Sequence, residues 1–268
     1  MALDPLQALQ AASRPVARPP ALQSLLIAGA TGLLGAELVH RLGGGGGYAR
    51  VGVLAGQPLR EGLRGIQPVV VPGDRPPAEW PRVPVDIGIV AFDPPRLHHG
   101  RERALWAADP AQLPAIAAWL RACGAHTLAV VQPHDAGRLP DALKRGLASL
   151  DEHALAGLGF ERLLLFRAAR KPTGSVRGLL PGLAAWMLST LRFMVPATDR
   201  PVRAVKVAEL LDEALRIAPP GVHVAAPEVV WAASQQDART VAARWLLGEA
   251  PDGSEAPRPA RDAWKRPG

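Results

Sequence analysis

Gly29, Gly32 and Gly35 stand three residues apart in Leu25-Leu26-Ile27-Ala28-Gly29-Ala30-Thr31-Gly32-Leu33-Leu34-Gly35, a spacing suited to holding phosphate. An apolar run feeds the glycines and residues 36–42 continue at helical spacing. Strand, glycine turn and helix, in that order, form the context a dinucleotide fingerprint requires. The pattern is GxxGxxG rather than GxGxxG. Gly29 permits a tight turn out of the strand, Gly32 lets the backbone approach a pyrophosphate, and Gly35 lets the helix pack close to the sheet. Thr31, Leu33 and Leu34 complete the candidate cofactor-binding turn, whose free N–H groups at the helix start would face the phosphates. The competing reading is a glycine turn that only packs, in a chain with 27 glycines.

Other residues invite weaker readings. His134-Asp135 follow the fifth expected strand, and histidine titrates near neutrality, so His134 is a candidate proton donor. His98-His99 follow the fourth strand and read as a solvated loop pair, with contact to a substrate as the alternative. No ligand spacing joins these histidines, so no metal site is expected. Ser149, Asp151 and His153 suggest hydrolysis, but no GxSxG elbow accompanies them. The single cysteine, Cys123, excludes an intrachain disulfide framework and a cysteine metal cage, and its neighbours predict a packed thiol at a helix end. Arg162, Arg167, Arg170, Lys171 and Arg177 form a basic stretch. It reads either as solvated surface arginines or as a site for an anionic small molecule or an acidic protein partner.

These groups need elements to position them. Apolar runs predict strands at 24–28, 50–54, 67–71, 86–92, 127–131 and 161–167. Helices are expected at 32–42, from about 101 to 122 with breaks or kinks at Pro110 and Pro114, and at 141–158. Alternating strands and helices imply an α/β fold, a doubly wound parallel sheet with right-handed crossovers, over 22–170. Residues 1–21 read as a flexible arm. Residues 171–249 read as a smaller helical and mixed appendage, a substrate or lid region packed on the sheet. It has helices at 179–193, 206–217 and 235–247 and short strands at 222–225 and 229–232. The Pro- and charge-rich 250–268 reads as a disordered tail.

With 268 residues, 48% hydrophobic and 21% charged, the chain has the composition of a globular protein able to bury a full core. A net charge of +7 raises nucleic acid as a partner. The arginines are diffuse, and neither a run of five like charges nor a helix-turn-helix or zinc pattern accompanies them, so no nucleic acid is expected. The apolar stretch 22–39 is better explained by the glycine fingerprint than by a signal peptide. The stretch 179–195 is interrupted by Pro181 and Arg192 and falls short of the ~20 residues a membrane span needs. A cytoplasmic protein with no membrane contact, a monomer or a homodimer, is expected.

The order of elements resembles the atypical short-chain dehydrogenase/reductase group, and within it the NAD(P)H-binding Tat-interacting-protein-type oxidoreductases, relatives of the NmrA-like regulators. The resemblance covers roughly 24–232. It rests on the glycine turn, on Asp86-Ile87-Gly88-Ile89 as strand four, and on Gly159-Phe160-Glu161-Arg162-Leu163-Leu164-Leu165-Phe166-Arg167 as strand six. A weaker match is Val195-Pro196 followed by Arg203-Ala204-Val205-Lys206-Val207-Ala208. It implies a Rossmann domain that takes NADP or NAD, with Asp74 after strand three as the aspartate that touches adenine in relatives. As read from the residues alone, Asp74 is equally a turn aspartate in Pro72-Gly73-Asp74.

The departures from that group bear on chemistry. Its active members use a Tyr-x-x-x-Lys pair and a serine, the lysine lowering the tyrosine pKa for proton transfer. Lys144 best matches the lysine, but Pro140 stands four residues earlier, and the serine region reads Val130-Val131-Gln132-Pro133-His134. The only tyrosine, Tyr48, lies beyond the first helix, on the wrong side of the fold. The NAD-type acid after strand two is also missing, since Leu54-Ala55-Gly56-Gln57 stand there and the nearest arginines are Arg60 and Arg64. NADP is therefore slightly preferred. The expected function is a cofactor-binding or redox-sensing module. The alternatives are a carbonyl reductase with a non-standard proton donor and an interaction protein without nucleotide.

Overall fold

A strand covered on both faces has no side to leave polar, so it must be apolar along its whole length. In the computed structural model, which describes residues 22–59, 65–93, 100–134, 147, 149–169 and 202–248, this is how the central strands read. β1 (Ser24–Ala28), β2 (Arg50–Ala55) and β4 (Ile87–Ala91) are buried along almost their entire lengths. With β3 (Ile66–Val70), β5 (Thr127–His134), β6 (Arg162–Ala169) and β7 (Gly221–Ala225) they form one sheet of order β3-β2-β1-β4-β5-β6-β7. Every pairing is parallel. This is the doubly wound α/β architecture expected from the alternation of elements.

Alternate residues of each strand feed two cores. Leu25, Ile27, Ile87 and Ile89 join the core beneath α1 (Gly32–Gly44) and the C-terminal helices, α5 (Ala204–Ile217), α6 (Pro227–Gln235) and α7 (Ala238–Leu247). Leu26, Ala28, Val90 and Leu128 face the core beneath α3 (Leu113–Ala122) and α4 (Leu150–Gly157). There Trp80 stands edge-on to both Trp106 and Trp119, with ring centroids 5.3 and 5.4 Å away. Cys123 caps α3 as a free, buried thiol.

Three local expectations change. Residues 229–232 lie in α6, because Pro227 opens a helix whose buried Val230 and Ala233 repeat at helical spacing. The helix expected across 101–122 is divided into the short α2 (Gly100–Ala104), a 3-10 turn at Pro110–Gln112 and α3. Asp109 starts the turn by accepting the Ala111 N–H at 3.0 Å. The 222–225 strand, assigned to the appendage, is β7 of the main sheet, paired along β6. Residues 1–21, the 179–193 helix and the 250–268 tail lie outside the described residues, as does 141–146 of the expected 141–158 helix. The described part of that helix is helical only from Leu150, because Ser149 caps it, and the expected 235–247 helix starts at Ala238 behind the Asp237 cap.

Two polar contacts tie the sheet together. At the amino edge, the Ser24 N–H and hydroxyl both donate to Asp86 Oδ2 at 2.7 Å, joining the starts of β1 and β4. Between the sheet and a covering helix, Arg167 on β6 and Glu152 on α4 form a buried pair, each about 3% exposed, with two contacts from Arg167 Nη2 at 2.8 and 3.1 Å.

Both contacts give testable expectations. Arg167→Met removes these two contacts to the buried Glu152 carboxylate and should cost about 3–5 kcal/mol in denaturant unfolding. Joined with Glu152→Leu, it should recover much of that loss. The Asp86 carboxyl is held below the usual carboxylate range, first by the Ser24 backbone N–H and also by its hydroxyl. Its contribution is therefore complete above the unfolded-state carboxyl pKa of about 3.9 and disappears as pH falls through the lower folded value. Asp86→Asn should cost about 1 kcal/mol near neutrality, allowing for solvent screening at this half-buried site. Acid unfolding followed by circular dichroism should show that difference shrinking below pH ~4.

Candidate functional site

After β1 the chain turns toward β2 and after β4 toward β5, so the strand order reverses between them. Ligands of open parallel sheets bind outside the carboxyl ends at such a point. The glycine turn lies there. Gly29 has φ +78° and Gly32 φ +68°, in the left-handed region that favours glycine. A Cβ on Gly29 would sit 2.0 Å from the Ala91 carbonyl oxygen, so the exit of β1 lies directly against the end of β4. A Cβ on Gly35 would sit 2.3 Å from the Ala30 carbonyl carbon. Gly35 thus lets the first turn of α1 pack on the chain leaving β1.

Helix α1 begins with orphan N–H groups that need acceptors. Thr31 occupies the N-cap without a side-chain cap, and the first turn holds no acidic residue. The Thr31 hydroxyl donates instead to the Asp93 carbonyl oxygen. The acceptors come from the segment after β4. Leu34 N–H donates to Asp93 Oδ2 at 2.8 Å, and Gly32 N–H donates to Glu102 Oε2 at 3.1 Å. Glu102 is buried and Asp93 half-buried. A carboxylate near a helix N-terminus is favoured by the helix dipole. Leu33 points outward, 61% exposed.

The turn therefore addresses anionic oxygens, here those of Asp93 and Glu102. The backbone suits a pyrophosphate. The side chains exclude one as they stand, since a Cβ on Gly32 would lie 2.2 Å from Asp93 Oδ2. The space directly over Gly32 is filled by that carboxylate.

The same segment covers the end of β2, where a dinucleotide's ribose would be recognised. Gly56 and Gln57 N–H donate to the Ala104 carbonyl at 2.9 and 3.1 Å, and Trp106 N–H donates to Leu54 O at 3.0 Å. Ala55 and Leu105 form an antiparallel bridge. Asp74 is exposed in the turn after β3, where Arg75 N–H reaches Pro72 O at 3.4 Å.

The remaining candidates divide. His134 is the last residue of β5, paired with Ala169, at the carboxyl edge. Lys144, Pro140, His98, His99, Asp135, Arg60 and Arg64 lie outside the described residues. Ser149 is a helix cap whose hydroxyl accepts the Glu152 N–H at 3.2 Å. Part of the basic stretch belongs to the interior. Arg167 is the buried partner of Glu152, while Arg162, at the opposite edge, donates to Thr127 Oγ1 at 2.9 Å. Two of the five residues behind the anionic-partner reading are thus structural, and Arg170, Lys171 and Arg177 lie outside the described residues. Tyr48 sits beyond the far end of the 13-residue α1, about 20 Å along the helix from the turn. Its hydroxyl donates to Asp212 Oδ1 at 3.4 Å, and burial pushes its pKa up. Among the described residues no cluster of His, Cys, Asp or Glu could hold a metal ion, and no helix is long and apolar enough to cross a membrane.

Asp93 and Glu102 escaped the sequence reading. The one available signal was a carboxylate two residues beyond the end of the β4 run, at the ligand edge. Nothing in spacing links it to a turn 59 residues earlier.

The backbone contact at Gly35 sets a further expectation. Gly35→Ala forces its Cβ into the Ala30 backbone, which has no flexible end to yield, and should destabilise the protein by about 3 kcal/mol. Gly44→Ala, where a Cβ meets nothing within 4 Å, should not. Paired thermal melts check both.

No protein-family model matches the chain, and no curated protein matches it. Among solved structures it is similar to the Bordetella bronchiseptica enzyme WbmH in complex with NAD+. There the identity is 12% over 78% of this chain and 79% of that one, with a TM-score of 0.41. It is also similar to the PhqB reductase domain from Penicillium fellutanum, at 16% identity over 78% of this chain and 68% of that one, TM-score 0.38. A third is a Rossmann-fold NAD(P)-binding family protein from Shigella flexneri, at 15% identity over 64% and 87%, TM-score 0.33.

Proposed function

We propose that this chain is a nicotinamide-dinucleotide-binding protein of the short-chain reductase type that does not carry out the usual carbonyl reduction. It would act as a cofactor-binding or redox-sensing module. One observation carries the reading: the Gly32 and Leu34 amides, at a glycine turn on the reversal point of a parallel sheet, are directed at anionic oxygens. In the bound state the backbone of Gly29, Thr31, Gly32, Leu33, Leu34 and Gly35 would hold the pyrophosphate, with Asp74 beside the adenine. The nicotinamide would supply hydride. For NADP over NAD, the support is that residues 54–57 after β2 bear no carboxylate to repel a 2′-phosphate.

Against reduction stands the sequence at the acid-base positions, Pro140 in place of tyrosine and no serine in 130–134. Loss of a positioned proton donor removes ~10²–10⁴-fold of rate. The reading without nucleotide also has support, because Asp93, Glu102 and the Ala104–Trp106 stretch fill the ground a dinucleotide would use.

Titration of the full chain with NADPH and NADH, followed by nicotinamide fluorescence and calorimetry, should show saturable binding, NADPH at least as tight as NADH. Gly32→Val should abolish it. NADPH oxidation against a panel of ketones and aldehydes should stay at background in wild type, His134→Ala and Lys144→Ala alike. Turnover lost in His134→Ala would establish the reductase reading instead. Absence of binding at millimolar nucleotide would leave the interaction protein.

A further inference from the structure

The glycine turn meets two carboxylates, neither of them local. Asp93 lies just past β4 and Glu102 in α2, 59 and 70 residues along the chain from the amides they accept. Asp93 is fixed twice: its carbonyl oxygen takes the Thr31 hydroxyl and its carboxylate takes the Leu34 N–H. The first contact is made by the main chain and survives any substitution at 93. The second is made by the side chain alone, which is half-buried. Glu102 is 7% exposed and so less free to leave.

From this geometry we infer that Asp93 is an internal latch on the phosphate cradle. Its carboxylate imitates a phosphate oxygen on the Leu34 amide and must swing out before a dinucleotide pyrophosphate can enter. The inference rests on the dinucleotide reading above and adds the regulation of that site. Three features support it. The carboxylate fills the space over Gly32. It satisfies a helix-end donor that an incoming phosphate would otherwise satisfy. Its negative charge would repel a pyrophosphate held beside it. A site open only part of the time binds with an apparent affinity reduced by the open fraction.

The test uses the full chain as wild type, Asp93→Ala and Asp93→Asn, titrated with NADPH and NADH by nicotinamide fluorescence. Asp93→Ala clears the space over Gly32 and frees the Leu34 amide, with Glu102 still on the Gly32 amide, and should bind about 10–100-fold tighter than wild type. Asp93→Asn removes the charge but keeps an acceptor oxygen of the same shape, so its affinity should lie between the two. It also stands in should Asp93→Ala fail to fold. Thermal melts give an independent readout. Without nucleotide, Asp93→Ala should melt below wild type, because Leu34 N–H loses its acceptor. With saturating nucleotide it should gain more than wild type does, by linkage. Equal affinities in all three proteins overturn the latch and leave the dinucleotide reading standing. Absence of binding in all three overturns both.

Discussion

Everything at the carboxyl edge depends on a place where two backbones touch with no side chain between them. The exit of β1 rests on the Ala91 carbonyl at the end of β4, and only a residue without a Cβ fits there. That contact sets the height at which α1 begins. It brings Thr31 within reach of the Asp93 carbonyl, and so lets a segment from β4 answer the open end of a helix that follows β1. A bulkier residue at 29 would separate the strands at the reversal point of the sheet, where the close pairing of Ala28 with Val90 ends.

The electrostatics follow from that approach. A helix of 13 residues presents a partial positive charge at its first turn, and α1 has no acid of its own to meet it. Two carboxylates from the chain after β4 do so, and the same chain continues across the end of β2 through Ala104, Leu105 and Trp106. A single connection thus covers both the glycine turn and the end of β2. This continuity distinguishes the site from an open glycine cradle.

Much of the architecture was legible because it rests on local rules. Doubly covered strands are continuous apolar runs, and six of the seven strands were placed within two residues of their observed ends, β5 alone running three residues further. The glycine turn was legible because its three glycines fall where the strand ends. Errors came where local pattern has two meanings. Val229-Val230-Trp231-Ala232 has strand composition, yet Pro227 starts a helix there and tertiary packing decides. Arg162 and Arg167 look like surface charge in sequence. One is an interior ion pair, because a carboxylate 15 residues earlier on α4 happens to face it. Asp93 was illegible for the same reason: its role depends on which N–H it meets, and that is settled by three-dimensional approach.

The far end of α1 shows what this wiring costs in time. Arg41, in its last turn, bonds Asp212 on α5 at 3.0 Å across 171 residues of sequence, and β7, the last strand of the sheet, pairs only after that. Contacts of such span close late, because the chain must surrender the entropy of a very long loop before any of them forms. On a ribosome, the β1–β6 portion must therefore wait, with the α5 side of its core uncovered, until the chain past residue 225 emerges. During that interval the part of the core that Val207, Leu210, Leu211 and Leu215 of α5 complete in the finished protein is open to water and to other nascent chains.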